Sequence, residues 1–297
     1  MPRTCCALAL ALLALACTAP ARPGADPDPA PPRPGEPPPS EGADAPGAAK
    51  PGRSGARAPT AGTSRADVAR RWGLDLVPLR PPAPPGPDER VPLVGAGGLP
   101  PVFVSVPTED RVVFLTIDDG SEHDPRVPDM LRELEIPFTA FLADRLVDGG
   151  YDYFREAYEQ GVAIQNHTVG HPEMPLLSYA EQRAEICRQQ EVLVREFGER
   201  PTLFRPPYGA YDADTLRAAA ACGVDGVPLW TQEAFSDRVE WARPDGRFHP
   251  GDIILSHFRG EGDWAGDASG DMVDMLRRIV DEVTEQGFAI ARLEDYV

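Results

Sequence analysis

From Val112 the chain settles into a repeated alternation of short apolar runs and amphipathic stretches. Val112-Val-Phe-Leu-Thr116 is continuous and largely β-branched or aromatic, the pattern of a strand covered on both faces. Residues 125–134 carry apolar positions at helical spacing behind Pro125, which suits a helix start. Strands are expected over 138–142 and 162–165, with a helix over 151–160 between them that Gly161 stops. Ser178, with Glu181 three residues later, has capping-box spacing and predicts a long helix over 179–197. A strand over 203–205, a helix over 212–221 and a strand over 226–230 follow. After a loop-rich stretch come a strand over 253–255, a helix over 271–286 and a strand over 288–292.

Strict β/α alternation with short buried strands implies an α/β fold built on a parallel sheet, either open or closed into a barrel. The polar motifs fall at the C-terminal ends of different strands: Asp118-Asp119, His167, Arg205-Pro-Pro-Tyr208, Trp230 and His257. In α/β barrels that end carries the reactive groups, because the βα loops converge there.

The chain before this region has another character. Residues 1–16 place Arg3 ahead of an apolar run that is too short to span a bilayer, as in a secretory signal. Ala14-Leu15-Ala16-Cys17 resembles the lipobox of bacterial lipoproteins, although Leu13 stands one position further from the cysteine than that pattern prefers. Residues 1–17 are therefore expected to be a signal peptide of lipoprotein type. The protein is expected to be exported and lipid-anchored on the outer face of a bacterial membrane, or otherwise secreted. Residues 18–66 are Pro, Ala, Gly and Ser with scattered charges and no aromatic, a composition expected to remain an extended tether. Residues 67–108 are expected to pack as an extension on the α/β domain spanning 109–297.

The net charge is −18 over 297 residues, with 29 Lys/Arg against 47 Asp/Glu. Seven Lys/Arg and five Asp/Glu fall in residues 1–66, which leaves 22 against 42 in the remainder. So acidic a body argues against nucleic acid as a partner, since that binding rests on neutralising phosphates. Membrane contact is expected only through the lipid anchor. Removing the signal leaves Cys17, Cys187 and Cys222. The last two form either a disulfide, in an oxidising compartment, or a pair of buried thiols.

Two imidazoles four apart, His167 and His171, together with the carboxylates of Asp118-Asp119-Gly120, have the composition of a site for one catalytic divalent ion. Three protein ligands leave positions open for water and substrate, and a further carboxylate can take a proton from that water. Asp-Gly alone is ordinary turn chemistry; the buried strand before it directs the carboxylates to the rim. Spacing of four on a helical turn puts both rings on one side. Arg205 can pair with a carboxylate, and His257 is suited to general acid work. His249 and His123 lie in loop contexts outside the site.

In order along the chain, Thr-Ile-Asp-Asp-Gly, His-Thr-x-x-His, Arg-Pro-Pro-Tyr and Ile-Leu-x-His resemble the motifs of polysaccharide deacetylases, carbohydrate esterase family 4 with the NodB-homology domain. The resemblance covers residues 112–292. It implies a distorted (β/α)7 barrel and hydrolytic removal of N-acetyl (or O-acetyl) groups from a cell-wall or extracellular polysaccharide, with peptidoglycan or a chitin-like glycan as substrate. Asp118 would then be the general base and His257 the general acid. Asp119, His167 and His171 would hold one divalent ion, zinc foremost with cobalt, nickel or manganese as alternatives. Arg205 would orient Asp118, and Tyr208 would offer its backbone N–H to an oxyanion. Leu255 would line the acetyl pocket, with Trp230 beside it. The family's fourth motif supplies an aspartate that tunes the acid histidine. Here only Glu233 and Asp237 are available, without clean alignment. Two rivals stand beside this reading: a non-catalytic glycan-binding lipoprotein, and a metal-dependent amidase or esterase acting on a non-sugar acyl group.

Overall fold

The computed structural model describes residues 64–264 and 269–297. The expected signal segment, Cys17 and nearly all of the expected tether lie outside the described residues. No described helix is long and apolar enough to cross a membrane.

The chain enters through α1 (Arg65–Arg71), which Ser64 and Asp67 open with a reciprocal capping box. A long extended segment follows and contains β1 (Val102–Phe103). Then come β2 (Val112–Asp119), α2 (Arg126–Leu134), β3 (Thr139–Leu142), α3 (Asp144–Val147), α4 (Tyr151–Glu159), β4 (Ala163–Asn166) and α5 (Tyr179–Phe197). They are succeeded by α6 (Ala213–Ala221), β5 (Val227–Pro228), β6 (Gln232–Ala234), β7 (Val239–Trp241), β8 (Asp252–His257), α7 (Met272–Glu285) and β9 (Ala289–Ala291). Ser178 and Glu181 form the expected capping box, and Asp212 and Asp271 cap α6 and α7 in the same way.

Strand β2 is the axis of the fold, with every residue buried. It pairs in parallel with β8 along one edge, and with β9 and then β3 along the other. Successive side chains leave a strand on opposite faces, so β2 serves two cores. Val113, Leu115 and Ile117 face outward into a core shared with the helices, including Met130, Leu131, Leu276 and Ile279. Val112 and Phe114 face inward, against Phe141, Leu203, Ile253 and Ala291. Parallel bridges carry the ring on from β4 through Asn166–Phe204 and Leu203–Gly226 toward β5. Segment 226–234 then bends so that β6 pairs with β8. The result is the expected α/β fold, its parallel strands curved into a distorted barrel.

Some expected strands are reduced. Residues 203–205 make only isolated bridges, and 226–230 keeps only β5. Pro201, Pro206 and Pro228 interrupt those segments, and each removes a ladder donor. Trp230 therefore stands in the link between β5 and β6 rather than at a strand end. The loop-rich stretch contains the antiparallel hairpin β6–β7, whose three-residue strands are too short to show a period. α1 contains the expected tether boundary at Ala66, and it leads into Trp72, whose indole N–H donates to Glu133 on α2 (2.6 Å). Cys187 on α5 and Cys222 at the end of α6 are joined by a disulfide.

Candidate active site

Regular strand geometry would send Asp118 and Asp119 to opposite faces. Asp118 keeps the inward face of β2, above Thr116. Asp119 instead takes φ 80°, a left-handed conformation that re-aims its carboxylate. Gly120 continues the turn at φ 96°, where a Cβ would lie 2.7 Å from a Val147 methyl. The Asp-Asp-Gly sequence is thus what allows neighbouring carboxylates to share one mouth.

His167 follows β4, and its Nδ1 lies 2.7 Å from the Arg205 carbonyl. That carbonyl can only accept, so Nδ1 carries the proton and Nε2 presents its lone pair to the site. Burial pushes the ring down to about 3, so it is neutral at physiological pH. The turn that brings His171 back is not helical, contrary to the spacing argument. Thr168 and His171 adopt φ 71° and 56°. Asn166 Oδ1 accepts from the Thr168 N–H (2.8 Å), and Thr168 Oγ1 accepts from the His171 N–H (3.0 Å). The two ring centroids end 4.9 Å apart.

Asp119 Oδ1 lies 3.2 Å from His171 Nε2 and 3.7 Å from His167 Nε2. The donor atoms of Asp119, His167 and His171 all lie within 4.8 Å of one another. Asp119 Oδ1 is buried and has no hydrogen-bond partner among the described residues. A buried acceptor without a donor, facing an imidazole lone pair, is costly unless a cation lies between them. The residues present therefore fit a divalent ion with mixed nitrogen and oxygen ligands.

Arg205 is fully buried. It donates to Asp118 Oδ1 (2.7 Å), Thr116 Oγ1 (2.8 Å) and the carbonyls of Pro228 (3.0 Å) and Leu229 (3.3 Å). Its guanidinium also stacks 4.3 Å over the Phe141 ring. Burial raises the Asp118 carboxyl above its ordinary value, and the Arg205 cation works against that rise. Asp118 and His257 are direct partners in the β2–β8 register. His257 is held below its ordinary value, chiefly by burial.

Of the two acidic candidates near the acid histidine, Glu233 is the one in place. Its Oε1 lies 3.6 Å from His257 Nδ1, because β6 pairs with β8 and puts Glu233 opposite Leu255. Burial first, then the facing Glu240 and Asp118, push Glu233 up to about 6. Asp237 instead pairs with Arg238 at the surface. Leu255 is buried opposite Thr116, and Trp230 is partly buried beneath Gly209. Tyr208 is 69% exposed at φ 61°, with its ring centroid 4.9 Å from that of His171.

His123 and His249 lie elsewhere, His123 against Phe154 and His249 beside Arg243 and Asp252. Two site residues escaped the sequence reading. Thr116, two positions before Asp118 and on the same face, also donates to the Ile254 carbonyl (2.6 Å); strand alternation could have found it. Arg259 Nη2 lies 3.1 Å from Asp119 Oδ2, and no pattern marks this loop residue.

A barrel that gathers carboxylates, imidazoles and a buried arginine at one mouth has the makings of an α/β-barrel enzyme site. A family model described as polysaccharide deacetylase matches residues 105–227. The chain is 40% identical over 200 residues to an uncharacterized protein of Streptomyces coelicolor, covering 67% of this chain and 78% of that one. It is 28% identical over 194 residues to a peptidoglycan-N-acetylglucosamine deacetylase of Bacillus cereus, covering 62% and 67% respectively. A solved peptidoglycan N-acetylglucosamine deacetylase, in complex with an N-hydroxybenzamide ligand, superposes with a TM-score of 0.57 at 25% identity, covering 66% of this chain and 92% of that one. The chain belongs to the polysaccharide deacetylase family, carbohydrate esterase family 4.

Proposed function

We propose that this protein is an exported, metal-dependent deacetylase that removes N-acetyl groups from an envelope glycan, with peptidoglycan as the favoured substrate. The observation that carries the reading is the pairing of an ion-binding cluster with a flanking base and acid: Asp119, His167 and His171 beside Asp118 and His257. Asp119, His167 and His171 would hold the ion, and mixed imidazole and carboxylate donors suit zinc, with cobalt, nickel or manganese able to substitute. Such an ion, when bound, supplies Lewis acidity toward an acyl oxygen and lowers the pKa of water.

The chain's own residues supply the proton transfers. Asp118, oriented by Arg205, takes the proton from the attacking water. Tyr208, held at positive φ beside His171, would offer its backbone N–H to the negative charge that develops on the acyl oxygen. His257, with Glu233 on its Nδ1 side, delivers a proton to the departing amine. Leu255 and Trp230 would bound the space for the acetyl methyl. The relatives named as peptidoglycan deacetylases support the choice of polymer. The signal-like start and the Cys17 motif support export and lipid anchoring.

Acetate release tests the reading, measured on peptidoglycan, on N-acetylglucosamine oligomers and on a small acylated amide. Release from the glycans but not from the small amide is expected. Release from the small amide alone would replace the glycan with a non-sugar acyl substrate. Retained glycan binding without release from any substrate would make the chain a binding protein.

A further inference from the structure

The two peptide planes that lead into His171 are held at all four of their polar groups. In the first, the Val169 carbonyl accepts from the Arg145 N–H (2.9 Å), and the Gly170 N–H donates to Glu185 Oε2 (2.6 Å). In the second, the Gly170 carbonyl accepts from Arg145 Nε (2.9 Å), and the His171 N–H donates to Thr168 Oγ1 (3.0 Å). Only the last of these bonds is made within the turn itself. The others reach in from α3, which carries Arg145, and from α5, which carries Glu185.

The backbone gives this support a reason. Thr168 and His171 both sit at positive φ, a conformation that a residue with a Cβ disfavours. Such torsions persist where the surrounding structure over-determines them. Gly170 lets the carboxylate come close, since a Cβ there would lie 3.2 Å from Glu185 Oε1. Among the described residues neither Glu185 nor Arg145 has an ion-pair partner, and the hydrogen bond of each side chain goes to Gly170. A half-buried carboxylate and an exposed guanidinium are thus both directed at one glycine, its N–H and its carbonyl. Hydrogen bonds from or to a charged group are about twice as strong as neutral ones.

We propose that Glu185 and Arg145 are positioning residues for His171, a clamp of opposite charges that keeps the left-handed turn closed and so sets how tightly the site holds its ion. The inference rests on the ion site proposed above. Neither residue supplies a ligand atom to that site. Each acts through the torsions of Gly170 and His171, which decide whether the His171 imidazole stays 3.2 Å from Asp119 Oδ1 or swings away. Without the clamp His171 can relax toward negative φ, which would leave Asp119 and His167 as two ligands of the three. Groups that orient a metal ligand from outside change metal affinity about 10–100-fold when removed.

The test uses the full chain, stripped by chelator and titrated with zinc against a chromophoric competitor. Glu185→Ala should weaken zinc binding about 10–100-fold, and Arg145→Ala about tenfold. Glu185→Gln keeps a side-chain oxygen that can accept from the Gly170 N–H, so it should retain most of the wild-type affinity. The contrast between Gln and Ala separates geometry from the mere loss of a negative charge near the ion. Melting temperatures of the metal-free variants that match wild type would show that they remain folded. Arg145→Ala, at an exposed position, keeps the test decisive if Glu185→Ala does not fold. Wild-type zinc affinity in the folded alanine variants, or a Glu185→Gln variant as weak as the alanine, overturns the clamp. A wild type that binds no zinc overturns the clamp and the ion site together. Zinc binding that weakens in the clamp variants, without acetate release from any substrate, would sink the deacetylase reading and leave the clamp standing.

Discussion

Replacing Arg205 by methionine isolates the contribution of a fully buried cation whose partner is the proposed base. Methionine is apolar and fills much of the space, so the loss is mainly electrostatic. Asp118 would lose its 2.7 Å partner, and the Pro228 and Leu229 carbonyls would lose donors at 3.0 and 3.3 Å. Breaking a buried pair by removing one partner costs about 3–5 kcal/mol, and each stranded carbonyl adds about 1–3 kcal/mol. A total of at least about 5 kcal/mol would lower the melting temperature by about 10 °C or more for a domain of this size. The cost should depend on pH. Burial already raises the folded-state pKa of Asp118 above its unfolded value, and Arg205 opposes that rise. Without Arg205 the folded pKa climbs further. A raised carboxyl is tolerated while protonated, and stability is lost as pH rises through the folded value. The gap between wild type and variant should therefore be small near pH ~4, where carboxyls titrate, and large near pH ~8. Melting curves at both pH values, repeated in an Asp118→Asn background, make the assay. In that background most of the penalty should vanish. A gap independent of pH, or fully additive effects of the two substitutions, would refute the claim that Arg205 acts by stabilising the buried Asp118 carboxylate.

Other consequences concern the ion, the acid and the disulfide. Chelation should lower the melting temperature, and zinc at about 100-fold above its Kd should restore about 2.7 kcal/mol; His171→Gln should abolish that response in the same melting assay. Glu233→Gln removes a negative charge 3.6 Å from His257, so the alkaline limb of the kcat–pH profile should move to lower pH, while Asp237→Asn leaves it unchanged. The Cys187–Cys222 bridge spans a sequence separation of 35. Its loss through paired serine substitutions should cost about 3–4 kcal/mol by loop entropy, visible in urea midpoints and mimicked by reductant.

The sequence made much of this architecture legible because its signals were local. A continuous apolar run identified β2, and a Ser–Glu pair three residues apart placed the start of α5 on the observed residue. Chain order then delivered Asp118 and His257 to strand ends that register side by side. What stayed hidden depends on tertiary context or on single torsions. The left-handed turns at Asp119, Thr168 and His171, rather than a helical face, bring the ligand atoms together, and no side-chain period encodes them. The β6–β7 hairpin was too short to read, and only its pairing with β8 distinguishes Glu233 from Asp237. Arg259 reaches Asp119 from a loop, and nothing in its neighbours predicts that approach.

The central claim is that Asp118 is the base of a hydrolytic site completed by one ion on Asp119, His167 and His171. Its most direct test is acetate release from peptidoglycan by metal-stripped protein titrated with zinc, with Asp118→Asn measured in parallel for both zinc affinity and turnover. Release should saturate at one zinc per chain, and the Asp118→Asn variant should bind zinc normally yet lose nearly all turnover. Release that persists without metal, or that survives in the variant, would contradict it.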